Sequence, residues 1–73
     1  MRIGELAKKA NLNPRTIRYY EGIGLLPIPP RTAAGYRQYF EQDLERLEFI
    51  RSAQALGIAL QEIKEVGGPA LSP

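Results

Sequence analysis

The spacing of apolar residues divides the chain into helices. Four apolar side chains near the start fall at positions i, i+3, i+4 and i+7 of a helix with one buried face: Ile3, Leu6, Ala7 and Ala10. Lys8 and Lys9 lie in its last turn, where cations complement the helix dipole, and Asn11 tolerates the left-handed conformation that ends many helices. We therefore predict a first helix that ends at Asn11.

A second helix is predicted directly after this turn. Asn13 is a favourable N-cap residue, and Pro14 suits the first helical position. Ile17 marks the inner face of this helix, which should end near Gly22 or Gly24. Two helices joined by a turn of three or four residues form a helix-turn-helix unit.

The next segment, residues 27–39, is predicted to form a small β-hairpin, called the wing below. Three prolines between positions 27 and 30 exclude a helix and favour extended backbone. Gly35 suits a turn, and residues 36–39 are a short strand candidate. Tyr36 and Tyr39 are three positions apart, so a flat strand places them on opposite faces, with one packed inward.

A longer helix is predicted from Glu41 to about Leu56, and Gly57 ends it. Its apolar residues form the spine of the core: Leu44, Leu47, Ile50 and Ala53, widened by Phe49 and Leu56. A final short helix carries Leu60, Ile63 and Val66, residues 67–69 break it, and residues 70–73 should be disordered. The predicted fold is mainly α: a winged helix-turn-helix with a two-helix HTH, a small β-hairpin wing and two further helices.

Composition excludes several classes of site. The 73 residues make one small domain and include neither cysteine nor histidine, which excludes disulfides, the commonest zinc sites and the usual general base. No nucleophile lies beside a base, so we expect no enzyme activity and no cofactor. No apolar run approaches the roughly 20 residues that span a bilayer, and no signal-peptide pattern is present, so we expect a cytoplasmic protein away from membranes.

Four acidic side chains lie in the third predicted helix: Glu41, Asp43, Glu45 and Glu48. A metal site is one interpretation of this set. However, Asp43 with Arg46 and Glu48 with Arg51 have the spacing of ordinary ion pairs on a helix surface. We therefore interpret the acids as a solvated face and expect no metal.

Charge is distributed unevenly along the chain, although the net charge is only +2. Residues 1–39 hold seven basic and two acidic side chains, whereas residues 40–73 hold three basic and six acidic ones. A basic half joined to an acidic half suggests one surface that faces a polyanion, and the alternative is chance asymmetry in a short chain.

The outer face of the second helix is the first candidate for that surface. At about 100° per residue, Arg15, Arg18 and Tyr19 fall opposite Ile17, with Thr16 at the edge. Such side chains contact phosphates and base edges in DNA. The alternative is a plain solvated surface.

The wing is the second candidate. Arg31 and Arg37 flank its turn, and a rigid basic hairpin beside a recognition helix is well placed to contact the phosphate backbone. The alternative is two exposed loop arginines. Of the two wing tyrosines, we expect one ring to pack in the core and the other to contribute a hydroxyl contact.

Together these segments resemble the N-terminal DNA-binding domain of the MerR family of bacterial transcription regulators. The matching segments are Ile3-Gly4-Glu5-Leu6-Ala7, Thr16-Ile17-Arg18-Tyr19-Tyr20-Glu21, Gly24-Leu25-Leu26, Gly35-Tyr36-Arg37-Gln38-Tyr39, and Leu56-Gly57 followed by Leu60-Gln61-Glu62-Ile63. The resemblance runs from about residue 2 to residue 66 and implies operator binding by an antiparallel homodimer. We assign residues 1–66 to this domain, and residues 67–73 to a disordered tail or the truncated start of a linker.

The resemblance also implies roles for individual residues, with the second helix in the major groove and the wing on the flanking backbone. By position, the helix contributes Arg18, Tyr19 and Tyr20, and the wing contributes Arg31, Arg37 and Tyr39. Arg15 occupies a position that varies in the family, so it is a candidate for sequence choice. The full set of DNA-binding candidates is Arg15, Thr16, Arg18, Tyr19, Tyr20, Arg31, Tyr36, Arg37 and Tyr39.

Family members typically bind promoters with an overlong spacer and distort the DNA when an effector binds, so that RNA polymerase can use both promoter elements. The resemblance therefore implies the DNA-binding module of an effector-responsive regulator in the bacterial cytoplasm, with a pseudo-palindromic operator in double-stranded DNA and RNA polymerase as partners. Two alternatives stay open. One is a MerR-like adaptor that binds a protein partner, and the other is an excisionase-like architectural protein that bends DNA.

The chain departs from the family pattern at several positions. Phe40 and Ala59 stand where the third and fourth helices usually have a capping side chain, and each missing cap costs about 0.5–2 kcal/mol. Gln54 replaces a frequently basic residue. The family's dimerisation helix and effector domain are not within these 73 residues, so we expect a homodimer for a longer protein and a monomer for this chain.

Overall fold

The computed structural model describes residues 1–67, with side chains as far as Glu65; the predicted helix break and tail beyond residue 67 lie outside this range. Its helices are α1 (Ile3–Ala10), α2 (Pro14–Gly22), α3 (Glu41–Ala55) and α4 (Leu60–Gly67). Helix α1 packs against α2 and α3, and α3 also packs against α4. The predicted two-helix HTH with two further helices is confirmed. No helix in the described part of the chain is long and apolar enough to cross a membrane.

The turn between α1 and α2 forms as the sequence predicts. Asn11 adopts the left-handed conformation with φ 56° and ends α1. Asn13 is the N-cap of α2, and its side-chain oxygen accepts a 2.8 Å hydrogen bond from the backbone N–H of Arg15. These two local signals fix the angle at which the chain enters α2.

The wing is a hairpin with little strand pairing. Arg31 and Arg37 form an isolated antiparallel bridge, and the Thr32 N–H donates to the Tyr36 carbonyl at 2.7 Å. Gly35 occupies the turn with φ 91°, a conformation that suits glycine. The hairpin is thus present, but the predicted strand at 36–39 is reduced to this single bridge.

The strand ends early because the backbone after the bridge pairs elsewhere. The N–H of Tyr39 donates to the Met1 carbonyl at 2.7 Å, and the terminal ammonium of Met1 donates to the Tyr39 carbonyl at 2.6 Å. The base of the wing is therefore attached to the segment that precedes α1.

The core consists of apolar side chains from all four helices, from the wing and from the segment between α2 and the wing. Its fully buried large members are Leu6, Ile17, Leu25, Leu26, Tyr39, Leu47, Ile50 and Ile63. Of the predicted spine of α3, Leu47, Ile50 and Ala53 are buried, and Leu44 is partly buried and packs against the core. The prediction that Phe49 and Leu56 widen this spine is wrong, because their side chains are 45% and 81% exposed.

Arg46 takes part of the buried face of α3 that Phe49 was expected to fill. Only 4% of Arg46 is exposed, and its Nε donates to the Leu25 carbonyl at 3.1 Å. Burial lowers the pKa of this guanidinium. The predicted surface ion pair with Asp43 is therefore wrong, since the arginine turns inward to the backbone after α2.

The second predicted ion pair of α3 is also wrong. Arg51 does not pair with Glu48; its guanidinium donates to the carbonyls of Ala10 and Asn11, the latter at 3.2 Å. These are free carbonyls at the end of α1, which cations suit. Arg51 thus joins α3 to the turn of the helix-turn-helix unit.

Acidic side chains at the third helical position substitute for the caps that Phe40 and Ala59 lack. The Asp43 carboxylate accepts from the Phe40 N–H at 2.8 Å, and the Glu62 carboxylate accepts from the Ala59 N–H at 3.2 Å. This is one half of a capping box at each helix. The loss of folding stability expected from the missing caps is therefore partly offset.

Candidate nucleic-acid interface

The outer face of α2 is exposed as predicted. Arg15, Arg18 and Tyr19 are exposed and Thr16 is half-buried, while Ile17 on the opposite face is completely buried. Because Asn13 caps the helix and Ile17 anchors it in the core, the direction of the outer face is fixed. Two cations and a phenol hydroxyl then project from one rigid element, a set that can contact both phosphates and base edges.

Two of the candidate residues lie in the core. Tyr20 is 6% exposed and Tyr39 is fully buried, so both rings face away from the surface that α2 and the wing present. Tyr20 and Tyr39 therefore expose little or no side-chain surface for the DNA contacts predicted for them. Tyr36, in contrast, is 50% exposed, so the prediction that the wing tyrosines face opposite sides is confirmed.

Buried polar contacts join the end of α2 to the wing. The Tyr39 hydroxyl donates to one carboxylate oxygen of Glu21 at 2.5 Å, and the Arg37 guanidinium lies 3.0 Å from the other. Glu21 is 7% exposed, so its charge is stabilised mainly by these two groups. Burial and the bond to Glu21 raise the pKa of Tyr39 to about 12.

This network gives Arg37 a structural contact besides the DNA contact predicted for it. About one third of its side chain is exposed, and its guanidinium is held by Glu21. Arg37 therefore also links the wing to α2. Glu21 was not among the candidates, although an acid in an otherwise basic half of the chain was a signal that it neutralises a neighbour.

A basic cleft of about 360 Å³ opens between the start of α1, the outer face of α2 and the wing. The residues that line this basic cleft are Arg2, Ile3, Arg18, Arg31, Gly35, Tyr36 and Arg37. Arg31 is oriented by a 2.9 Å hydrogen bond from its guanidinium to the Gly35 carbonyl. Four arginine residues thus line one concavity, which is suited to a phosphate or another compact anion.

The remaining candidates divide between two surfaces. Arg18, Arg31 and Tyr36 line the basic cleft. Arg15, Thr16 and Tyr19 belong to the outer face of α2 and do not line the cleft. Between residues 1 and 67, acidic side chains form no cluster able to hold a metal ion. The geometry therefore offers an anion-binding surface beside an exposed helix.

Comparisons with known proteins identify relatives of this chain. A model of MerR HTH family regulatory proteins matches residues 1–66. The mercuric resistance operon regulatory protein of Bacillus cereus is 54% identical over 67 residues, which cover 92% of this chain and 51% of that protein. The chain thus spans about half the length of the curated relatives it matches.

Solved structures show the same fold. The transcription regulator PbrR691 from Ralstonia metallidurans CH34, in complex with lead(II), has a TM-score of 0.83 and 48% identity, covering 90% of this chain and 52% of that one. HiNmlR, a MerR family regulator lacking the sensor domain and bound to promoter DNA, has a TM-score of 0.85 and 27% identity, covering 97% and 54%.

Proposed function

The chain belongs to the MerR family of helix-turn-helix regulatory proteins, and from this we propose that it binds double-stranded DNA as the recognition module of a bacterial transcription regulator. The observation that carries the proposal is the exposed basic face of α2 beside the basic cleft, with the wing fixed to α2 through Glu21. A helix and a hairpin held at a constant angle can contact the groove and the flanking backbone together.

In this proposal α2 enters the major groove. Arg15 and Thr16 face base edges, and Arg18 and Tyr19 contact bases or phosphates at the groove margin. A helix-turn-helix unit commonly places the N-terminal residues of its second helix against the bases. Arg15 is the second residue of α2, which suits a role in sequence choice.

The wing contacts the backbone in the same complex. Arg31 and the hydroxyl of the half-exposed Tyr36 contact phosphates, and Arg37 with Tyr39 holds the hairpin in place. Tyr20 supports α2 from the core. Contacts of this kind fix the position of the protein on the duplex, and those of α2 supply the sequence preference.

We further propose that the longer regulator is a homodimer on a pseudo-palindromic promoter operator, and that it acts on RNA polymerase through distortion of the DNA. Its relatives are about twice as long as this chain, and one of them is solved with lead(II). The length of these relatives and the lead(II) complex support our proposal that the rest of the longer regulator contains an effector-binding region. The proposed location is the bacterial cytoplasm at the nucleoid, and the proposed role involves no catalysis.

The salt dependence of binding tests this proposal. Binding of the 73-residue chain to a fluorescent duplex of random sequence is measured at several salt concentrations. Neutralised phosphates make the logarithm of the binding constant fall linearly with the logarithm of salt concentration. A steep slope supports DNA binding, and the absence of salt-dependent binding would support the protein-binding adaptor instead.

A further inference from the structure

Arg2 connects the segment before α1 to the wing. Its guanidinium carbon lies 3.8 Å from the centroid of the Tyr36 ring. Both residues are exposed, so the pair lies at the protein surface. Neither apolar spacing nor the family resemblance assigns a role to Arg2.

The surroundings of Arg2 are strongly positive. Arg2 lines the basic cleft together with Arg18 and Arg31. The ion pairs within residues 1–67 are Lys9 with Glu5 and Arg37 with Glu21. In that part of the chain, Arg2, Arg18 and Arg31 therefore have no carboxylate partner, and their mutual repulsion is relieved when an anion enters the cleft.

The stack leaves the hydrogen-bonding groups of Arg2 available. A guanidinium that lies on an aromatic ring uses its face, whereas its N–H donors point outward in its plane. Contact with Tyr36 also restricts the rotamers of Arg2 before any ligand binds, so less conformational entropy is lost on binding. Two parallel N–H groups match two oxygens of a phosphate.

We propose that the basic cleft seats one phosphate group of the DNA backbone, and that Arg2, oriented by Tyr36, is a ligand of this phosphate. The inference rests on the proposed DNA-binding function. It adds one phosphate contact, made by the residue that precedes α1, to the DNA contacts proposed for α2 and the wing. Because the contact is to the DNA backbone, it raises the affinity for every DNA sequence by the same amount.

The test compares salt slopes for wild type and Arg2→Ala on a random-sequence duplex two helical turns long. Loss of one neutralised phosphate should reduce the slope by about 0.9 and weaken binding about tenfold at moderate salt. The matched control is Lys8→Ala, which removes an exposed cation from the opposite end of α1 and does not line the basic cleft. Its slope should equal that of wild type.

A double-mutant cycle tests the part played by Tyr36. Tyr36→Phe keeps the ring and should leave the effect of Arg2→Ala intact, whereas Tyr36→Ala removes the stack and should make the affinity loss from a further Arg2→Ala change smaller than in wild type. Arg2→Lys keeps the charge but not the planar stack, so it should preserve the slope and lower the affinity. Urea unfolding of each variant separates binding effects from folding.

The outcomes separate this inference from the function on which it rests. A steep wild-type slope with an unchanged Arg2→Ala slope and affinity would overturn the phosphate site and leave DNA binding in place. Additive losses in the cycle would overturn the role of Tyr36. A wild-type chain without salt-dependent binding would remove the proposed function itself.

Discussion

The hydroxyl of Tyr39 in the wing donates a 2.5 Å hydrogen bond to the carboxylate of Glu21 at the end of α2. Arg37 pairs with the other oxygen of the same carboxylate at 3.0 Å. The wing and the exposed helix are therefore held together by a buried charge with two partners, and the spacing of these two elements, which we propose face the DNA, depends on it.

Glu21→Gln should lower the free energy of unfolding by about 1–3 kcal/mol, because it leaves the half-buried Arg37 without its counter-charge. The matched control is Glu5→Gln, which removes the charge from the exposed pair with Lys9 at 3.5 Å. An exposed pair contributes less than about 1 kcal/mol. Urea unfolding of both variants measures the difference, and equal losses would contradict a supporting role for Glu21.

Alkaline pH should weaken the fold through Tyr39. Its pKa is about 12 in the folded protein against the ordinary value of 10.0, so the folded state keeps the proton longer than the unfolded state. The resulting stability is fully present below pH 10 and is lost as the pH rises from 10 to 12. Tyr39→Phe lacks this group, so the stability difference between wild type and variant should shrink across that interval.

The pH experiment is read as a difference between the two proteins, because the lysines and other tyrosines are common to both. Urea unfolding at several pH values gives the free energies, and circular dichroism confirms the helical content at each pH. A difference between wild type and Tyr39→Phe that stays constant from pH 10 to 12 would show that the Tyr39 hydroxyl is not the group responsible.

Asp43→Ala should destabilise the protein by about 0.5–2 kcal/mol, because it removes the carboxylate that accepts from the Phe40 N–H at the start of α3. Glu45→Ala is the control, since this acid is exposed on the same helix. Thermal unfolding followed by circular dichroism compares the two. If Glu45→Ala were as damaging as Asp43→Ala, general charge near the helix start would explain the effect better than capping.

The parts of the fold that follow from local chemistry were predicted from the sequence. Asn11 and Asn13 act on their own neighbours, so the turn between α1 and α2 could be placed to the residue. The opposite orientation of Tyr36 and Tyr39 followed from their spacing. The exposed face of α2 required only the position of Ile17.

Features that depend on distant residues could not be predicted in this way. Arg46 and Arg51 have the sequence spacing of surface ion pairs, but each finds backbone carbonyls on another element. The short strand of the wing depends on Met1, 38 positions away from Tyr39. Glu21 appears as a supporting residue only once the wing is folded beside α2.

Binding-site selection from random duplexes tests most directly the claim that α2 is the recognition helix. Wild type should select a consensus, Arg15→Ala should select a changed one, and Arg18→Ala should keep the wild-type consensus with uniformly weaker binding. Because the proposed homodimer would place one copy of the chain on each half-site, the selection is run at high protein concentration. An Arg15→Ala consensus identical to that of wild type, or no consensus at all for wild type, would contradict the account.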